Sequence, residues 1–192
     1  MSKTVKVGFS WVVGFVRLIV LGLKAWTVQF YDELNAKKGT RFEASREVTG
    51  AAGQVFWSVI VTGDNPVDLK RREFGFNGDG ITADIFFDAM YTGGTVDPVY
   101  NGNDIVPASF DFQLIAGPTL VVTVDENKKL GATLYAFGST SNQSKGSTLT
   151  GFGSNYILAP NSTYALRFIS RSANQLIAAR ITGYNGPLDT TI

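Results

Sequence analysis

From Arg41 onward the chain is a succession of short apolar runs, each closed within about ten residues by glycine, asparagine, aspartate or proline. TGAAG, TGDNP, NGDG, TGGTVDP, NGND, AGP, DENKK and GSTSNQSKGST supply the turns, because these residues accept positive φ, fix φ, or bond to their own backbone. Between them lie ten candidate strands. These are Arg41 to Val48, Gln54 to Thr62, Asp68 to Phe76, Ile81 to Asp88, Ser109 to Ile115, Thr119 to Val124, Gly131 to Gly138, NYIL, STYALRFIS and NQLIAARIT. No helical period of useful length interrupts them, which disfavours a parallel sheet with crossover helices. The expected fold is all-β: an antiparallel β-sandwich, jelly-roll-like, formed by residues 41–192.

The closing stretch YILAPNSTYALRFISRSANQ shows the pattern at its most regular. Pro160-Asn161 predicts a tight turn. In the strand that follows, Tyr164, Leu166 and Phe168 share one face and are expected in the core, while Ala165, Arg167 and Ile169 share the other. Arg167 and Arg171 are thereby expected to be available for contacts outside the core.

The 192 residues suffice for one domain with an arm. Seventeen basic residues against sixteen acidic ones leave a net charge of +1, which lacks the electrostatic footprint of a nucleic-acid binder. Histidine and cysteine are both absent. Ser-His-Asp and Cys-His nucleophilic sites, Cys or His zinc sites and disulfides are excluded with them, and no catalytic residue, metal or cofactor is expected.

Residues 1–40 read as an apolar arm and linker. Val5, Val7, Phe9, Trp11, Val13 and Phe15 stand at successive odd positions with Lys6, Gly8, Ser10 and Gly14 between them, the period of a strand rather than a helix. A membrane span is disfavoured because Arg17 falls in the middle of the apolar run, and a secretory signal because its basic residues are scattered. An extended apolar arm is relieved of its unpaired backbone groups by adding to a sheet edge of another subunit. DELNAKKGTR (Asp32 to Arg41) reads as a short helix or linker joining arm and domain.

The polar clusters are few. Asp79, Asp84 and Asp88 lack the spacing of a calcium loop. Alternation places Asp84 and Asp88 on one strand face, where a carboxylate pair could serve a hydrolase. Lys70, Arg71 and Arg72 in LKRREF read either as charges blunting an edge strand or as ion-pair partners for a neighbouring subunit. Trp57, Phe86, Phe87 and Tyr91 read as core, with a carbohydrate-stacking surface as the alternative.

Taken in order, AAGQVFWSVIVTGDNPVDLKRREFGFNGDGITADIF, YTGGTVDPVYNGND and LAPNSTYALRFISRSANQLIAARI resemble small tailed-bacteriophage virion proteins. The resemblance runs from about Val48 to Tyr184 and leaves out the apolar segment Val5 to Leu23. It implies a capsid decoration or auxiliary head protein on the capsid surface, a β-sandwich without catalytic residues. The partners it implies are the major capsid protein and copies of the chain itself, as a homo-oligomer such as a trimer. A tail or fibre adhesion module, touching a glycan through loops such as Ser139 to Thr148, is the alternative.

Overall fold

The computed structural model describes residues 35–120, 125–138 and 156–187, together with the backbone of short strands at 19–21, 25–27 and 147–151. The short ribbon of β1 (Ile19–Leu21) and β2 (Ala25–Thr27) comes first. A helical turn at 35–37 then leads into β3 (Arg41–Gly50), β4 (Val55–Val61), β5 (Val67–Phe76) and β6 (Gly80–Phe87). Next come β7 (Tyr91–Thr92), β8 (Thr95–Asp97), β9 (Tyr100–Asn101), β10 (Gln113–Ala116) and β11 (Thr119–Leu120). The chain closes with β12 (Leu134–Phe137), β13 (Ser147–Gly151), β14 (Tyr156–Leu158), β15 (Thr163–Ser170) and β16 (Gln175–Asn185).

Pairing among the long strands is nested. β6 pairs with β12, β5 with β13 and β14, β4 with β15, and β3 with β16, all antiparallel. The first half of the domain therefore lies against the second as one long hairpin. That hairpin rolls up so that consecutive strands alternate between two sheets, ordered β13-β5-β16-β3-β9 and β12-β6-β15-β4-β10-β8. This is the double Greek-key winding of a jelly roll. The expected all-β sandwich is thus the observed fold.

Alternation fills the space between the sheets. Phe42, Leu69 and Val67 from one sheet meet Ile60, Ile85 and Tyr164 from the other at one end. Phe74, Phe76 and Ile177 meet Ile81, Ala83 and Phe168 at the other end, where Phe56 stacks on Phe168 at 5.1 Å. Asn161 turns the chain at φ 50°, as Pro160-Asn161 predicts. Gln175, fully buried, fastens the β15–β16 hairpin: its Oε1 accepts from Ser170 Oγ at 2.8 Å and its Nε2 donates to the Asn77 carbonyl at 2.6 Å.

Two details depart from the sequence reading. Regular strand begins at Gln113 rather than Ser109, yet Phe112 is buried and packs on Phe42 at 4.7 Å from irregular backbone. The strand expected from Thr119 is seen at Thr119–Leu120, and residues 121–124 of the expected segment lie outside the described residues. The outer face of β4-β15-β6 is also covered, because Val59, Phe86, Ile115 and Ala165 form a satellite core under Tyr91 and Leu120. Ala165 is accordingly as buried as Tyr164.

Candidate functional site

Two concentrations of polar side chains stand out, one on each side of the β4-β15-β6 sheet. The outer one is built on register. Arg167 of β15 lies directly across from Asp84 of β6, so their side chains share a face at the closest cross-strand spacing. Arg167 donates to Asp84 Oδ2 from Nε at 3.0 Å and from Nη2 at 2.7 Å, and its Nη1 reaches Glu126 at 3.0 Å. Glu126 opens a 3-10 turn (Glu126–Lys128) capped by Asp125, whose side chain accepts from Asn127 N. The segment after the turn bridges to Phe86. That bridge brings Lys129 to 3.2 Å from Asp84 and 2.7 Å from Glu126. Thr133 completes the set with a 2.6 Å bond to Asp84 Oδ1.

Aromatic rings form the floor. The Arg167 guanidinium sits 4.8 Å from the centre of Phe86 and 5.8 Å from Trp57, with Lys129 at 5.7 Å from Phe86. Burial alone pushes the Asp84 carboxyl up, but the bonds from Thr133, Arg167 and Lys129 outweigh it and hold the group below its ordinary range. Glu126 is held low chiefly by its bond from Lys129, and Lys129 is held high chiefly by its bond to Glu126. Asp84 is therefore a fixed anion whose oxygens are already occupied. A proton-transfer catalyst needs the opposite, a group poised near its working pH.

The carboxylate pair read from alternation does not form. Asp88 stands beyond the end of β6 with φ 54°, exposed and bonded to Lys128 at 3.2 Å, while Asp84 is enclosed. Arg167 is likewise corrected: it was expected outside the core, and its donors are committed to Asp84 and Glu126. Arg171 is exposed and lies 5.3 Å from the centre of the Phe137 ring. Of the four aromatics, Phe86 is buried, Trp57 and Tyr91 pack on the satellite core, and Phe87 is exposed. The core reading holds for three of them. Among the described residues no group of three acidic side chains is placed to hold a metal ion.

The inner concentration was not legible as such. Arg46 of β3, Ser58 of β4 and Arg72 of β5 all point between the sheets and separate the two apolar clusters. The LKRREF charges were expected on a solvated face. Arg71 is exposed, but Arg72 is only 5 % exposed. The cause is a bulge: Thr182 faces Arg71 and Gly183 faces Leu69, so Lys70 is an extra residue in β5. An extra residue reverses which side chains point inward. Val67 and Leu69 point inward before it, and Arg72, Phe74 and Phe76 after it. The shared parity of Arg72 with Phe74 and Phe76 was the available signal. Arg46 donates from Nη1 to the Trp57 carbonyl at 3.1 Å and to Ser58 Oγ at 3.4 Å, tying the two sheets together.

The sheet edges complete the inventory. β9 covers β3 only at Phe42 and Glu43, so among the described strands nothing pairs with the outer edge of β3 from Ala44 to Gly50. Val96 on terminal strand β8 and Phe137 on terminal strand β12 are 66 % and 71 % exposed. Tyr100, Ile105, Tyr135 and Ile157 are exposed as well. Val5, Val7, Phe9, Trp11, Val13 and Phe15, the expected partner-binding arm, lie outside the described residues.

No protein-family model matches the chain, and neither does any curated protein. Among solved structures it is similar to VP2 of infectious bursal disease virus. A mutant VP2 in derived T=1 particles is 14 % identical, covering 97 % of this chain and 50 % of that one, with a TM-score of 0.13. The VP2 subviral particle gives 14 % identity, 97 % and 52 % coverage and a TM-score of 0.14. The chain spans about half the length of those proteins. Superposition at this level does not define a common fold.

Proposed function

We propose that this chain is a virion structural protein, a decoration or cement protein that docks on the head shell of a tailed bacteriophage and stabilises it by burying surface across subunits. One observation carries the reading: the apolar side chains left over by the fold are concentrated on its terminal strands and connecting loops, as with Val96, Ile105 and Phe137. An exposed strand edge with apolar side chains is a template for pairing with another chain. The resemblance over Val48 to Tyr184 and the apolar alternation of Val5 to Phe15 point the same way, and the saturated Asp84 cluster offers no competing chemistry. The partners on this reading are the major capsid protein and further copies of the chain in a symmetric oligomer.

The test is reconstitution. Particles assembled without the chain should lose heat resistance and regain it on addition of the purified protein. A chain lacking Met1 to Lys24 should fail to bind them. Restored heat resistance with the truncated chain at full occupancy would remove the arm from the account; particles indifferent to the intact chain would remove the cement role.

A further inference from the structure

Between the two apolar clusters lies a half-open cavity of about 50 Å³. Arg46, Ser58 and Arg72 line it together with apolar walls that include Phe74, Leu114 and Phe168. A polar site needs at least about 10–15 Å³ of this kind of volume to hold one water, so the space exceeds that minimum.

Its electrostatics are unusual. Arg72 is 5 % exposed and its Nη1 has no hydrogen-bond partner among the described residues. The guanidinium rests 5.3 Å from the centre of the Tyr156 ring, and no carboxylate forms a salt bridge with it among the described residues. Arginine cannot shed its proton to escape such a setting. Burial draws its pKa down, with the Tyr156 hydroxyl and the charge of Asp84 opposing, yet Asp84, which also borders the cavity, is already bonded to Arg167 and Lys129. The other charged groups on the cavity wall are Arg46, the Asp84–Arg167 pair, Asp97 of β8 and exposed Arg180, so arginines outnumber carboxylates there. Asp97 lies across from Leu114, and among the described residues no ion pair joins it to Arg46 or Arg72. The Ser58 hydroxyl accepts from Arg46 and keeps its own proton to donate.

We infer that the cavity is a binding site for a small monovalent anion of chloride's size, held by Arg72 Nη1 and the Ser58 hydroxyl. A buried cation without a directly bonded counter-charge is destabilising, and an anion in the cavity supplies that bond where no described carboxylate pairs with Arg72. The size limit follows from the walls: a sulfate or phosphate spreads more charge over more oxygens than one guanidinium nitrogen and one hydroxyl satisfy, and Phe74, Leu114 and Phe168 offer it none. The anion is a structural ligand that joins the halves of the core, and the inference is independent of any role in a virion.

The experiment is thermal and urea unfolding of the full chain in sodium chloride against sodium gluconate at equal ionic strength, since gluconate is too large to enter. A ligand bound only to the folded state lowers the unfolding constant by 1 + [L]/Kd, about elevenfold at ten times Kd. The intact protein should show this saturable gain in chloride. Arg72→Met, which removes the charge at similar volume, should show none. If Arg72→Met does not fold, crystals of the intact protein grown in bromide decide, with an anomalous peak expected in the cavity beside Arg72. Equal stability in both salts together with a cavity holding only water would overturn the inference.

Discussion

Breaking the Asp84 to Arg167 pair tests whether the outer cluster is a fixed structural device. Asp84 is 1 % exposed at its side chain and receives two bonds from Arg167, one from Thr133 and an ion pair from Lys129. Removing one member of a buried pair costs about 3–5 kcal/mol because it strands the other charge. Arg167 is 18 % exposed and keeps Glu126 at 3.0 Å, so Asp84→Leu should fall at the low end, about 3 kcal/mol. For a domain of this size that lowers Tm by roughly 6–12 °C. Arg167→Met leaves Asp84 with Lys129 and Thr133 and should cost less. The double variant, with neither charge stranded, should be more stable than the sum of the single losses by at least about 1 kcal/mol. Urea unfolding at neutral pH measures all three. Additive losses, or an Asp84→Leu variant within about 0.5 kcal/mol of the parent, would refute the reasoning.

Two further outcomes follow from the same geometry. Asp84 and Glu126 are both held below their ordinary values of 3.8 and 4.5, so the stability they contribute is present above those values and is lost as pH falls through the lower folded ones. Urea midpoints should be flat through neutral pH and drop below about pH 4, more steeply in the parent than in the Asp84→Leu, Arg167→Met double variant. Equal slopes would show that the acid transition lies elsewhere. At the β5 bulge a Cβ on Gly183 would stand 2.3 Å from the Asp68 carbonyl oxygen and 2.9 Å from the Phe42 ring. Gly183→Ala should therefore cost about 1–3 kcal/mol in chemical denaturation; an unchanged midpoint would mean that β5 and β16 separate there at little cost.

Much of the architecture was legible because period-two alternation and turn residues are local signals. STYALRFIS showed which of its residues face inward, and Pro160-Asn161 showed where the chain turns. Nested pairing was beyond local reach, since β3 and β16 meet across more than a hundred residues and nothing near Arg41 names Gln175 to Tyr184 as its partner. The bulge at Lys70 was hidden for a related reason: it exists only relative to the register of β16, and it alone decides that Arg72 turns inward. Arg167 was misplaced because alternation separates two faces of a strand without showing that both are covered, and the cover comes from Glu126, Lys129 and the β7–β11 pair. Phe112 was expected in a strand and is buried all the same, since a core accepts a ring from irregular backbone when the neighbouring Phe42 and Phe110 are placed to receive it.

The proposed role rests on surfaces that meet a repeating lattice, and the copy number of this chain in purified particles tests that most directly. Quantitative mass spectrometry of intact virions should find it in fixed integer ratio to the major capsid protein, at many copies per particle. A handful of copies would place it at the tail, as an adhesion module would require, and its absence from purified particles would contradict a virion role altogether.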